Sequence, residues 1–142
     1  MRTRRAMYKA RAKELLRYGI TPEEASVLVV VNTLGNKATP SEISRWLLRE
    51  PHSTSELLKR MEKGGLVSRS KDLERKNMVR IAIKAKGRKL YKQVVIKQSI
   101  HRIMAFLSEK ECRQLLGYMQ KLRDAALDEI GIEHEKDFHL LK

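Results

Sequence analysis

The sequence is poor in cysteine, in aromatic residues and in long apolar stretches. Its single cysteine, Cys112, excludes an internal disulfide and any metal site built from several cysteines of one chain. Because no run of 18 apolar residues occurs and the basic amino-terminal segment has no apolar core, neither a membrane-spanning helix nor a secretory signal is predicted. We therefore expect a cytoplasmic protein.

Acidic residues are also scarce relative to basic ones. Seventeen aspartates and glutamates face 31 lysines and arginines, which leaves a net charge of +14. Such an excess favours an anionic partner, most commonly a nucleic acid and next an anionic membrane surface. The basic amphipathic helix predicted over residues 3–18 argues against a membrane, because its apolar side is rich in alanine and has no tryptophan or phenylalanine.

The sequence shows no catalytic or metal-binding pattern. It contains no nucleophile with a base and an orienting group, no phosphate-binding glycine loop and no paired acids. The candidate metal donors are His101, Cys112, Glu133, His134 and His139, but His134 and His139 are five residues apart and would not share a helix face. Cys112 lies on an apolar stripe, which favours a buried, inert thiol. We predict no catalytic residue, no metal and no cofactor.

Residues 39–83 have the pattern of a winged helix-turn-helix. A short helix begins after Thr39, and the turn Glu50-Pro51-His52 precedes a second helix, because proline cannot continue a helix. Ser53 and Glu56 have the spacing of a capping box for this second helix. Gly64 and Gly65 predict its end. The 42% of hydrophobic residues suffice for a core around these elements.

The second helix has one apolar face and one polar face. Its buried stripe is predicted to consist of Thr54, Leu57, Leu58 and Met61. The opposite face has small hydroxylated residues near its start and cations further on, which suits contacts with bases and phosphates in a major groove. Its members are Ser53, Ser55, Glu56, Lys59, Arg60 and Lys63.

Two alternating segments, residues 66–71 and 79–83, predict a two-stranded hairpin after the second helix. The tip between them, residues 72–77, is basic, and arginine is the favoured residue in a narrow minor groove. We expect an ion pair between Asp72 and Arg75 to preset this tip. An ordinary solvated hairpin is the alternative, but the adjacent helix-turn-helix favours a DNA-contacting wing.

The remaining segments predict helices that frame this domain. Thr21-Pro22-Glu23-Glu24 begins a central helix that ends at Gly35. We interpret Trp46 as a core anchor, with ligand stacking as the alternative. A long helix is predicted over residues 84–107, and a capping box at Ser108 begins another. The segment 131–142 is predicted to be a short helix or a disordered end.

In order and spacing, these elements resemble the MarR family of bacterial winged-helix transcription regulators. The segments that match are YGITPEEASVLVVV, STSELLKRMEKGGLVSR, DLERKNMVRIAIKAKG and LSEKECRQLLGYMQKL, within residues 8–126. The implied fold class is mainly α with a small β-wing, a winged helix-turn-helix plus long dimerisation helices. The implied domains are an amino-terminal dimerisation helix at 1–20, a DNA-binding domain at 21–84 and carboxy-terminal dimerisation helices at 85–142.

The resemblance implies a homodimer that binds double-stranded DNA at a pseudo-palindromic operator, represses transcription and associates with the nucleoid. An architectural or nonspecific basic nucleic-acid-binding protein is the alternative function. A small-molecule effector is possible for the family, but no residue identifies one. Base contacts would come from Ser53, Thr54, Ser55, Lys59 and Arg60, wing contacts from Arg75 and Lys76, and phosphate contacts from Thr39, Ser41 and Arg69. The dimer interface would contain Leu15, Leu16, Ile100, Ile103, Leu107, Leu115, Met119 and Leu122.

The sequence departs from the family pattern at three places. Ile83-Lys84 stands where relatives often have Leu-Thr, so the usual hydroxyl cap is missing before the following helix. The first helix has only about twenty residues before Thr21, which is shorter than in many relatives. The amino-terminal cysteine of oxidant-sensing relatives is absent.

Overall fold

Seven helices and one hairpin form the part of the chain that the computed structural model describes, residues 1–72, 74–75 and 77–132. In chain order the elements are α1 (Arg2–Leu16), α2 (Pro22–Leu34), a 3₁₀ turn (Gly35–Lys37), α3 (Pro40–Leu47), α4 (Pro51–Lys63), β1 (Val67–Lys71), β2 (Val79–Ile83), α5 (Ala85–Val94), α6 (Gln98–Met104) and α7 (Glu109–Glu129). The predicted fold class, mainly α with a small β-wing, is confirmed.

The chain divides into two compact units, Met1–Ser99 and Ile100–Lys142. The helix α1 and the helix α5 belong to the first unit together with the winged part. The predicted functional boundaries after residues 20 and 84 therefore do not coincide with the division between the compact units, and they remain predictions about function.

The helix α2 is central to the first unit. Thr21 and Glu24 form a capping box: Thr21 Oγ1 accepts the Glu24 N–H at 3.2 Å, and Glu24 Oε2 accepts the Thr21 N–H at 2.9 Å. Gly35 caps the other end with φ of 55°. The buried residues of α2 are Ala25, Val27, Leu28, Val30 and Val31. Both the predicted start and the predicted central position are confirmed.

The next helix, α3, begins as predicted at Thr39, whose hydroxyl accepts the Glu42 N–H at 3.2 Å. Trp46 is 7% exposed, which confirms its interpretation as a core anchor. The helix ends at Leu48, which takes the left-handed conformation with φ of 50°.

The start of α4 differs from the prediction. The helix begins at Pro51 after the N-cap Glu50, and among the described residues no side chain caps this end. The predicted capping box at Ser53 is wrong, because proline fits the first helical position, where its missing N–H costs nothing. The predicted end is confirmed: Gly65 has φ of 74°, and the Leu66 N–H donates to the Met61 carbonyl at 2.9 Å.

The two strands pair antiparallel, with Val67 opposite Ile83 and Lys71 opposite Val79. Val67 and Ile81 point into the core, at 0% and 2% exposure. The Ile81 N–H also donates to the Ala38 carbonyl at 2.9 Å, which attaches the hairpin to the segment before α3. The predicted hairpin is confirmed.

The single long helix predicted over residues 84–107 is wrong. It is interrupted between α5 and α6, where Lys97 has φ of 50°. Glu14, from α1, explains the new start: its carboxylate accepts the N–H groups of Gln98 and Ser99, each at 3.0 Å. A carboxylate bound to these N–H groups stabilises a helix start at this point of the chain.

The helix α7 forms most of what is described in the second unit. It begins with the predicted capping box, in which Ser108 Oγ accepts the Glu111 N–H at 3.3 Å and Glu111 Oε2 accepts the Ser108 N–H at 2.8 Å. Of the predicted terminal segment, residues 133–142 lie outside the described residues.

Candidate nucleic-acid interface

One face of α4 anchors it in the core and the other is free for contacts. Thr54, Leu57, Leu58 and Met61 are at most 1% exposed, which confirms the predicted buried stripe. On the opposite face the exposed residues are Ser53, Glu56, Lys59, Arg60 and Lys63, and Ser55 is half-buried. The helix therefore presents a polar face on a backbone that the core holds in place.

Thr54 does not belong to that polar face. Its side chain is fully buried, and its Oγ1 has no hydrogen-bond partner in the described part of the chain. The prediction that Thr54 contacts DNA is therefore corrected: it lies on the same stripe as Leu57 and Leu58, and a base could reach it only if α4 left the core.

The charges on α4 are unevenly neutralised. Lys59 Nζ lies 2.9 Å from Glu56 Oε1. The hydrogen bond and charge of Lys59, together with the charges of His52 and Arg60, lower the pKa of Glu56, so this carboxylate stays ionised at neutral pH. Arg60 and Lys63 make no ion pair among the residues the structure describes. The carboxy-terminal half of the exposed face is therefore its most cationic part.

Asp72 organises the tip of the wing. Its Oδ1 accepts the N–H groups of Glu74 at 2.8 Å and Arg75 at 3.0 Å. Its Oδ2 accepts Arg80 Nε at 2.8 Å. These bonds, the two backbone ones first, lower the pKa of Asp72. The predicted ion pair with the Arg75 side chain is wrong, because Arg80 from the facing strand takes that position.

The wing tip leaves Arg75 exposed. Its carbonyl accepts the Met78 N–H at 2.8 Å, and the Met78 carbonyl accepts the Asp72 N–H at 2.8 Å. The backbone around Arg75 is thus held from both sides while its side chain faces solvent. Lys76, the second predicted wing residue, lies outside the described residues.

The three predicted phosphate-contacting residues differ in accessibility. Ser41 is exposed. Thr39 is 8% exposed and its hydroxyl already caps α3. Arg69 is half-buried, with its Nε 4.0 Å from Glu62 Oε2. Only Ser41 is both exposed and without such an engagement among the described residues.

The predicted dimer residues fall into two groups. Leu15 is fully buried inside the first unit, so its assignment to a dimer interface is corrected. Ile100 and Ile103 are half-buried. The exposed ones are Leu16 at 76%, Leu107 at 37%, Leu115 at 39%, Met119 at 57% and Leu122 at 67%.

Sequence reasoning missed two exposed aromatic residues of the second unit. Phe106 is 92% exposed and Tyr118 is 61% exposed. Tyr118 follows Leu115 by three residues, so helical spacing offered a signal for it. Phe106 precedes the start of α7 and had no such signal.

The described residues contain no group of three side chains that could hold a metal ion. Cys112 is half-buried rather than buried, and its thiol lies 3.8 Å from the Met104 carbonyl oxygen. Glu133, His134 and His139 lie outside the described residues. Of the helices described, none has the length and apolar character that crossing a membrane requires.

Comparison with known proteins identifies relatives for this geometry. A model of the MarR family matches residues 18–76. The uncharacterized HTH-type transcriptional regulator YsmB of Bacillus subtilis strain 168 is 32% identical over 94 residues, which cover 66% of this chain and 64% of YsmB. The match thus spans slightly less than two thirds of that relative.

Solved structures share the fold. The organohalide-sensing regulator RdhR-CbdbA1625 in its 2,4-dichlorophenol-bound form superposes with a TM-score of 0.82 at 29% identity, covering 96% of this chain and 80% of that one. MepR of S. aureus, solved in complex with DNA, has a TM-score of 0.79 at 21% identity, covering 87% of this chain and 92% of MepR, and shows the common fold. With the family model and the YsmB match, this winged-helix architecture shows that the chain belongs to the MarR family, whose members are transcriptional regulators and not enzymes.

Proposed function

We propose that this chain is a sequence-specific DNA-binding transcription regulator. It would bind a pseudo-palindromic operator as a homodimer, in the cytoplasm at the nucleoid, and act as a repressor. The observation that carries the proposal is the polar face of α4, held by a buried stripe and followed by a wing whose tip Asp72 organises.

The α4 face suits a major groove. Ser53 and Ser55, near the start of the helix, offer hydroxyl groups that donate and accept hydrogen bonds with base edges. Lys59 and Arg60, one turn later, supply the positive charge that contacts phosphate or guanine. Glu56 reduces the charge of Lys59 through their ion pair, so we assign the stronger electrostatic contact to Arg60.

The wing suits the neighbouring minor groove. Arg75 is exposed on a tip whose backbone is already ordered, so its contact with DNA costs little further ordering. A narrow minor groove concentrates negative potential and favours arginine. We assign Lys76 to the same contact, and Ser41 and Arg69 to the phosphates beside it.

A homodimer would place two such readers on one DNA. The exposed apolar residues of α7 supply a surface that association would remove from water. Two recognition helices related by a two-fold axis meet major grooves about 34–36 Å apart, which is about one turn of DNA. The operator would then be an inverted repeat with that half-site spacing.

A small molecule would control such a dimer only by binding one of its DNA-competent or incompetent states more tightly. RdhR-CbdbA1625 is described as an organohalide sensor and was solved with 2,4-dichlorophenol. By analogy, we propose that an effector releases this chain from its operator.

The decisive experiment selects bound sequences from a random duplex library with the purified protein at near-physiological salt, while its mass in solution is measured. An enriched inverted repeat bound by a dimer is expected. Binding without an enriched motif would instead establish an architectural or nonspecific nucleic-acid-binding function. Absence of binding in the presence and absence of cell metabolites would contradict the proposal.

Two variants separate the wing from the helix. Arg75→Ala should weaken binding and reduce the preference for A·T pairs beside the half-sites, whereas Lys59→Ala should weaken binding to all sequences alike. Lys110→Ala, on the exposed start of α7, is the charge-matched control. If Arg75→Ala and the control bind like the wild type, the wing assignment is wrong.

A further inference from the structure

An open cleft of about 750 Å³ lies at the root of the wing. We call it the wing-root cleft. The carboxyl end of α2 (Val31, Asn32), the 3₁₀ turn, both wing strands and Arg88 of α5 line it. Every lining residue belongs to the first compact unit. Its volume falls in the range of small-molecule sites.

The cleft combines an apolar floor with a cationic rim. Val31 and Ile81, which line it, are 3% and 2% exposed and so lie at its bottom. Three cations line it, Lys71, Arg80 and Arg88, against two acids, Asp72 and Glu74. This arrangement fits a ligand that has a compact apolar part and a negative charge.

The acids leave cationic groups available in the cleft. Asp72 uses both carboxylate oxygens, one for two backbone N–H groups and one for Arg80 Nε. The pair with Asp72 occupies only one of the five N–H donors of the Arg80 guanidinium. Within the described part of the chain, Lys71 and Arg88 make no ion pair or side-chain hydrogen bond. Arg88 and the remaining donors of Arg80 can therefore receive an anion.

We propose that the wing-root cleft binds a small organic carboxylate. The carboxylate group contacts Arg88 and Arg80, where charge-assisted and bidentate hydrogen bonds are available. The apolar body of the ligand contacts Val31 and Ile81. Inorganic anions would lack the second contact, and uncharged molecules of the same shape would lack the first.

Occupation of the cleft would reach the wing tip through Arg80. A bound carboxylate competes with Asp72 for the Arg80 guanidinium, and Asp72 is the residue that orders the backbone of Glu74 and Arg75. A ligand that draws Arg80 away would loosen the tip that carries Arg75. This step rests on the proposed DNA-binding function, whereas binding to the cleft does not.

The first experiment measures binding without DNA. Benzoate is titrated into the ¹⁵N-labelled full chain, and the amide signals of Asn36, Ile81 and Ala82 are followed by NMR at constant ionic strength. We expect saturable shifts at these amides with a dissociation constant on the order of 1 mM. Benzamide, which has the same shape without the charge, should bind about tenfold more weakly.

Two charge-matched variants locate the site. Arg88→Gln removes a cation that lines the cleft, and Lys92→Gln removes one from the same helix outside it. Arg88→Gln should weaken benzoate binding about tenfold while Lys92→Gln leaves it unchanged. Well-dispersed spectra of both variants show that they are folded. The proposal is overturned if benzoate shifts none of the cleft amides, if benzamide binds as tightly, or if both variants weaken binding equally.

The second experiment measures affinity for the selected operator with benzoate or an equal concentration of chloride. Benzoate should weaken binding of the wild type about threefold or more, and should leave the affinity of Arg88→Gln unchanged. Cleft binding with unchanged operator affinity would overturn the coupling through Arg80. Failure to bind any duplex, together with normal benzoate binding, would instead contradict the proposed function and leave the cleft assignment standing.

Discussion

At the scale of single residues, Glu14 has the densest set of contacts on a buried charge. Its carboxylate accepts the N–H groups of Gln98 and Ser99 and the Ser99 hydroxyl, and it pairs with Arg11 at 2.9 Å. Arg11 also donates to the Val94 carbonyl at 2.5 Å. Burial raises the pKa of Glu14, but the bonds from Ser99 and Arg11 outweigh it and lower the pKa to about 2. The residue thus ties α1 to the end of α5 and the start of α6.

Glu14→Gln should lower the free energy of unfolding at pH 6 by about 3 kcal/mol, the equivalent of lowering the pKa from 4.5 to about 2. Because the folded state has the lower pKa, this stabilisation is complete above about pH 4.5 and is lost as the pH falls toward 2. The difference between wild type and variant should therefore shrink on acidification. Urea denaturation at pH 6 and pH 3 measures it.

The control for this prediction is Glu109→Gln, whose side chain is 85% exposed and pairs only with Arg113 at the surface. It should change stability by less than about 0.5 kcal/mol at either pH. A Glu14→Gln deficit that is the same at pH 6 and pH 3 would show that packing, and not the ionised carboxylate, accounts for the loss.

At the scale of elements, the starts of α2 and α4 test what caps a helix. Thr21 caps α2 with both bonds of a capping box, whereas Ser53 lies inside α4 after Pro51. Thr21→Ala should therefore destabilise the chain by about 1 kcal/mol, since it removes an N-cap hydroxyl. Ser53→Ala should change stability by less than about 0.5 kcal/mol. Thermal unfolding compares them. An equal loss in both variants would restore the predicted cap at Ser53.

The junction between the wing and α5 depends on Gly87. A Cβ at this position would lie 2.2 Å from the Leu66 carbonyl oxygen and 2.9 Å from Ile83 Cγ2. Gly87→Ala should cost about 2 kcal/mol despite the better helix propensity of alanine, because the backbone of α5 must move away from the wing. Denaturant unfolding gives the value.

Gly117→Ala is the matched control, because a Cβ there meets no atom within 4 Å in the described structure. Placed in the middle of α7, it should gain up to about 1 kcal/mol from helix propensity alone. If Gly87→Ala stabilises the chain to the same extent, α5 does not need its close approach to the wing.

At the scale of the whole molecule, the exposed apolar face of α7 predicts association. Its members Leu115, Leu116, Met119 and Leu122 follow helical spacing, and Leu122 is 67% exposed. Leu122→Glu places a charge on this face and should raise the dimer dissociation constant about thirtyfold or more, the effect of removing an interface anchor. Sedimentation velocity over a concentration series measures the constant.

Gln114→Glu, an equal charge change elsewhere on α7, should leave that constant within about threefold. A wild type that stays at the 16.5 kDa monomer mass at high concentration would contradict the dimer. So would unchanged association of Leu122→Glu.

The sequence by itself determined the features that depend on near neighbours. The capping boxes at Thr21 and Ser108, the glycine end of α4, the register of the hairpin and the buried stripe with Leu57 follow from spacing within a few residues, and all are present. The order of these elements was also sufficient to predict the MarR family. For the candidate interface, the same periodicity separated the exposed Lys59 from the buried core.

Only the tertiary structure decided the features whose partners are distant in the chain. The break between α5 and α6 depends on Glu14, 84 residues before Gln98. Asp72 bonds to Arg80 because the hairpin brings the facing strand beside it, although Arg75 is nearer in sequence. The burial of Leu15 and Thr54 likewise depends on which helices pack against them. Sequence periodicity identifies which side of a helix is apolar, but whether its own chain or a partner covers that side depends on tertiary packing.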